Sequence, residues 1–127
     1  MKWGSEYSVF EAELDSEHRT LFQLVNGFDR SHAVLEDIFT HISEHFAHEE
    51  RKMLAAGYPM YAWHKRQHDG AVKRLKTLSR GVRRGDSKAI QEFSDYLSRW
   101  LEDHTRVTDR MMASYLRNHV RTRGAGG

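Results

Sequence analysis

His45 and Glu49 stand four residues apart, and so do His64 and His68. On a helix that spacing puts both members of a pair on one face, one turn apart. Each pair is therefore a two-toothed clip for a metal ion, and His18 and His104 add one imidazole each. All of these groups interrupt apolar stripes, where a buried polar side chain without a partner costs roughly a few kcal/mol. A single such imidazole is most simply a satisfied core histidine. Five imidazoles and a carboxylate spread over every stripe need a common partner, and a metal cluster supplies one. Imidazole and carboxylate without thiolate suit iron, with zinc and manganese as outsiders. The chain contains no cysteine, which excludes disulfides, thiolate zinc sites, iron–sulfur clusters and cysteine nucleophiles.

Four stripes at helical spacing must position these donors. The first is Leu14, His18, Leu21, Val25 and Phe28; the second is Leu35, Ile38, Ile42, His45, Glu49 and Met53. The third is Tyr61, His64, His68, Ala71, Leu75, Leu78 and Val82, and the fourth runs Ile90, Phe93, Leu97, Trp100, His104, Val107 and Met111. The punctuation agrees. Asp15 is expected to cap the first helix and Gly27 to close it, while Gly57 stops the second. Pro59 fits the first turn of the third, Gly81 and Gly85 end it, and Asp86 or Ser87 caps the fourth. One proline in 127 residues and no strand-like alternation complete an all-α pattern.

Narrow stripes and short connections predict an up-down-up-down antiparallel four-helix bundle. Residues 1–127 read as one domain, with 39% apolar residues for a core. Residues 1–14 carry Trp3, Tyr7, Val9 and Phe10, too apolar to float free, and are expected to form an ordered N-terminal arm; residues 121–127 read as a flexible tail. A net charge of +2 does not point to nucleic acid. Neither a signal peptide nor a membrane-length apolar run is legible, so a cytoplasmic monomer is expected.

The donors sit within longer motifs. These are Trp3, Tyr7-Ser8-Val9, Leu14-Asp15 with His18, His45-Phe46-Ala47-His48-Glu49-Glu50, Gly57-Tyr58-Pro59, the pair His64 and His68, and Trp100-Leu101 with His104 and Asp109. In order and spacing, over nearly the whole chain, they resemble the hemerythrins, in particular the single-domain bacterial kind. The resemblance implies two non-haem iron ions that bind dioxygen reversibly. It places His64, His68 and His104 on one iron and His18 and His45 on the other. Glu49, Asp109 and a hydroxide or oxo group would bridge the two, leaving one position open for dioxygen on the iron with two histidines. Leu101 and Phe22 are expected to line the dioxygen pocket.

Oxygen storage or delivery is the function this implies, without enzymatic activity and with dioxygen as the partner. An oxygen or redox sensor domain is the alternative, and a di-iron enzyme handling peroxide or nitric oxide is less favoured. Neither the Glu-x-x-His pairs of ferritin-like enzymes nor an HExxH motif occurs.

Asp109 enters only through the resemblance. It follows His104 by five residues, about 140° away around a regular helix, where spacing alone offers Thr108. A π turn would bring both onto one face, which predicts widening or a bend between Leu101 and Met111. The other histidines are expected outside the site. His41 and His48 flank the second stripe in solvated positions, His41 being the nearer to the ligands, and His32 and His119 lie at the surface. Glu50 and Asp103 are expected to face water.

Overall fold

The computed structural model describes residues 3–9, 12–26, 28 and 32–126. After a short 3-10 turn, Ser5–Tyr7, come α1 (Ala12–Asn26), α2 (His32–Ala56), α3 (Tyr61–Arg83) and α4 (Ser87–Asp103). A π turn, His104–Asp109, then leads into α5 (Arg110–Gly126). His104 and Arg110 keep right-handed helical dihedrals at its two ends, so α4, the π turn and α5 continue as one rod. No strand occurs among the described residues, and four helical rods make the all-α bundle. No described helix is long and apolar enough to cross a membrane.

Local chemistry explains where the helices stop. Gly57 adopts φ 64°, and its N–H reaches the Leu54 carbonyl at 3.2 Å while that of Tyr58 reaches Met53 at 2.9 Å. This paired closure needs a left-handed residue, which glycine supplies without strain. Asp86, rather than Ser87, caps α4, accepting from the N–H groups of Lys88 and Ala89.

Three expectations about punctuation need correction. Asp15 lies inside α1, and its carboxylate accepts from Ser8 Oγ at 2.8 Å and the Val9 N–H at 2.9 Å; it fastens the preceding segment instead of capping a helix. Gly81 sits within α3, where an added Cβ would stand 2.4 Å from the Ala89 side chain. Its role is to let α3 and the start of α4 approach, not to end a helix. Pro59 precedes Met60, the N-cap of α3, and so lies in the turn. Gly27, Phe10 and the side chains of His32 and His119 lie outside the described residues.

Two apolar layers emerge from the stripes, except that Val107 and Met111 of the fourth stripe, at and beyond the π turn, are exposed instead of inward. The larger contains Leu21, Phe22, Leu35, Ile42, Leu75, Phe93, Leu97 and Leu101 among others. The smaller contains Val9, Leu14, Met53, Tyr58, Met112 and Ala113. Burying each large side chain of this kind contributes about 1.5–3 kcal/mol, which lets the bundle tolerate a polar layer between the two. Along α1 that layer is His18, between Leu14 and Leu21. Along α2 it is His45 and Glu49, between Ile42 and Met53, and on the last rod it is His104 and Asp109, between Leu101 and Met112.

Candidate metal centre

His18, His45, Glu49, His64, His68, His104 and Asp109 are each exposed by 4% or less. Their donor atoms form two overlapping groups, each within 4.8 Å: Glu49, His64, His68, His104 and Asp109 in one, His18, His45, Glu49 and Asp109 in the other. The two carboxylates belong to both. Glu49 turns Oε1 toward His68 and His64, at 3.0 and 3.5 Å from their Nε2 atoms. Its Oε2 faces His45 at 3.3 Å and His18 at 3.7 Å. Asp109 repeats the division: Oδ1 lies 3.0 Å from both His64 and His104, and Oδ2 lies 3.0 Å from His18.

Proximity here does not amount to hydrogen bonding. Among the described residues, His18, His45 and His68 Nε2, both oxygens of Glu49 and Asp109 Oδ1 are buried without a hydrogen-bond partner. The Nε2 atoms of His64 and His104 stand 3.1 Å apart. Buried polar atoms are rarely left unpaired, and a cluster of such orphans converging on shared points fits cations held among them. Five neutral nitrogen donors and two carboxylates without sulfur suit two iron ions.

Each helix delivers its donors for a stated reason. The i,i+4 spacing places His45 with Glu49 on α2 and His64 with His68 on α3. On the last rod the π turn carries Asp109 to the face of His104, within the predicted interval Leu101–Met111. Aromatic packing then fixes the rings: Phe46 stacks on His68 at 3.9 Å and Trp100 on His104 at 4.2 Å. Phe22 and Leu101 both lie in the larger apolar layer. Phe22 meets Trp3 edge-on at 5.4 Å, and Trp3 lies 6.3 Å from the His18 ring.

The outer Nδ1 atoms show groups that the sequence did not single out. His45 donates to Glu17 Oε1 at 2.5 Å, and His104 pairs at 3.0 Å with Gln67 Oε1, which also accepts from Thr108 Oγ1. Glu50 was expected to face water, yet it accepts from His68 Nδ1 at 2.9 Å with its side chain only 20% exposed. A carboxylate can only accept, so these contacts put the ring hydrogen on Nδ1 and aim Nε2 inward. His48 is a further correction: its Nδ1 lies 2.6 Å from Glu17 Oε2, whereas His41 merely bonds the Asp37 carbonyl of its own helix. Asp103 is exposed beside Arg106, as expected. Adjacency to a ligand (Glu17 before His18, Glu50 after Glu49) was the available signal. A helical wheel does not say which neighbouring helix such a flank meets.

Without metal, the cluster holds itself by charge. Burial alone would lower the His45 pKa, but Glu49 and Glu17 more than reverse this and push it up to about 10. At His64 burial is likewise outweighed by Asp109 and Glu49, raising it to about 9. Burial would raise Glu49 and Asp109, yet the surrounding imidazoles hold both below the usual carboxylate range. Both histidines thus lie above their ordinary value of 6.5. Their contribution to the metal-free fold is complete below 6.5 and fades as pH rises through about 9 to 10. The melting temperature of chelator-stripped protein should therefore fall across that interval, while metal-loaded protein shows no matching decline. A flat curve for the stripped protein would refute the ion pairing.

A helical bundle with a two-compartment histidine–carboxylate cluster defines a class, the cation-binding four-helix domains with paired metal positions. Residues 9–116 match the model of the hemerythrin HHE cation binding domain, and the chain belongs to that family. It is 28% identical to a bacteriohemerythrin of Stenotrophomonas maltophilia over 93% of this chain and 82% of that protein. Identity to a bacteriohemerythrin of Clostridium acetobutylicum is 25%, covering 85% and 95% of the two chains. A myohemerythrin of Theromyzon tessulatum is 31% identical, covering 85% of this chain and 87% of its own. No solved structure matches.

Proposed function

We propose that this chain binds dioxygen reversibly at a pair of non-haem iron ions and serves in oxygen storage or delivery, not as an enzyme. His64, His68 and His104 would hold one ion, His18 and His45 the other, with Glu49 and Asp109 bridging them. The observation that carries this is the division of each carboxylate, one oxygen toward each histidine group. When bound, the iron pair would supply the electrons that let dioxygen attach and leave.

The chain's own part is to hold and to shield. Nδ1 acceptors keep the imidazoles of His45, His68 and His104 turned inward. Phe22, Leu101 and the apolar layers keep bulk water and its protons from the centre, which favours release of dioxygen unchanged. Residues 1–127 act as a single domain and as a cytoplasmic monomer, with dioxygen as the partner and no nucleic-acid or membrane role. The rods run up-down-up-down. In support, the larger layer draws on the later part of α1, the earlier part of α2, the later part of α3 and then α4.

A specific contact favours the sensor reading as second choice. Arg110, the neighbour of Asp109, donates to the Glu6 and Ser8 carbonyls, and Arg117 donates to that of Val9. An ordered N-terminal arm so fastened would feel movement at Asp109.

The test is optical and analytical. Reconstituted protein should carry about two irons per chain, be nearly colourless when reduced, and gain visible absorption in air that fades on degassing. Preference for zinc, or a single ion per chain, would overturn the di-iron reading. Irreversible bleaching in air would point to an enzyme instead.

A further inference from the structure

We propose that Glu17, fixed by His48, is the positioning residue for the metal position of His18 and His45, and that its charge sets the redox potential there. The inference rests on the paired-iron reading above and concerns residues outside the ligand set. Glu17 reaches from α1 to α2 and uses both oxygens, Oε1 on His45 Nδ1 at 2.5 Å and Oε2 on His48 Nδ1 at 2.6 Å. One carboxylate therefore ties a ligand imidazole to a non-ligand imidazole three residues along the same helix.

The two metal positions differ in this outer support. At the position with three histidines, His68 has the Glu50 carboxylate and His104 the Gln67 amide. At the other, His18 Nδ1 has no hydrogen-bond partner among the described residues, so imidazole orientation through Nδ1 depends on Glu17 alone. That carboxylate is about one-third exposed. It borders a surface cavity of about 500 Å³ whose walls include His41, Glu44, His48 and Arg51. Held by His45 only, it could swing into that cavity; His48, itself 3.5 Å from Glu13, closes off the motion. A full negative charge on the Nδ1 hydrogen makes His45 a more basic ligand than a neutral acceptor would. More electron density at the metal favours its ferric state and lowers the potential of that position.

The experiment titrates chelator-stripped protein with zinc and, separately, measures the iron midpoint potentials. Wild type should take two zinc ions. Glu17→Ala should bind the first ion as wild type does and the second at least about 10-fold more weakly, with a somewhat lower melting temperature before metal is added because the Glu17–His45 pair is lost. Glu17→Gln retains an acceptor oxygen, so the second ion should return to near wild-type affinity, while the potential of one iron rises because the acceptor is neutral. His48→Ala should weaken the second ion by less than Glu17→Ala does. Two ions bound by Glu17→Ala with wild-type affinity, equal weakening of both, or failure of Glu17→Gln to restore the second would overturn the proposal. So would a midpoint potential in Glu17→Gln identical to wild type. Fewer than two ions on wild type would overturn the paired-metal reading, and this inference with it.

Discussion

Glu49→Ala should remove both metal ions together, whereas His18→Ala should chiefly weaken one. Glu49 is completely buried, and its two oxygens face different histidine groups, His64 with His68 and His18 with His45. Loss of an outer partner alone costs about 10–100-fold in metal affinity. Loss of a donor shared by both ions should exceed that, about 100-fold or more at each position. The four imidazoles around it also lose their central anion, so metal-free protein should melt lower as well. Metal analysis after gel filtration, together with thermal melting, checks the result. Retention of one tightly held ion by Glu49→Ala would mean that Glu49 serves a single position.

Much of this centre is legible because helical spacing maps directly onto geometry. His45 with Glu49 and His64 with His68 need only the i,i+4 rule, and the stripes carrying them predict helices that the structure contains. Gly57 and Asp86 are readable for the same reason: a left-handed stop and a side-chain cap are local. What the sequence hides depends on the neighbouring element. Asp15 resembles a cap until Ser8 and Val9 are seen to occupy its carboxylate. Gly81 resembles a stop until Ala89 is found where its Cβ would be. Glu17, Glu50 and Gln67 lie on helix flanks, and only the packing of the rods decides that each meets a ligand imidazole instead of water. Asp109 is intermediate, since five-residue spacing contradicts a regular helix and only the resemblance to a known pattern singles it out.

The π turn explains why that spacing works, and deletion of Val107 tests the explanation. Val107 is exposed within the turn, so removing it takes away no core side chain. Deletion lets the rod close as a regular α-helix, with the aspartate now four residues after His104, while Met112 and Ala113 keep the buried register that the π turn gives them. The fold should survive with full helicity. Glu49 spans the same four-residue spacing from His45, but with one more methylene, to reach its 3.3 Å contact. Aspartate, one methylene shorter, is expected to fall short of that contact from an unwidened helix. Deletion alone should therefore weaken metal binding at both positions by about 10–100-fold or more, since loss of an outer partner alone already costs that much. Lengthening the side chain, Asp109→Glu in the deletion background, should recover most of that loss, while Asp109→Glu in the intact chain should overcrowd the site and weaken it. Circular dichroism and zinc titration of the three variants separate the outcomes. Wild-type affinity in the deletion variant would show that the widened turn is not what places the aspartate.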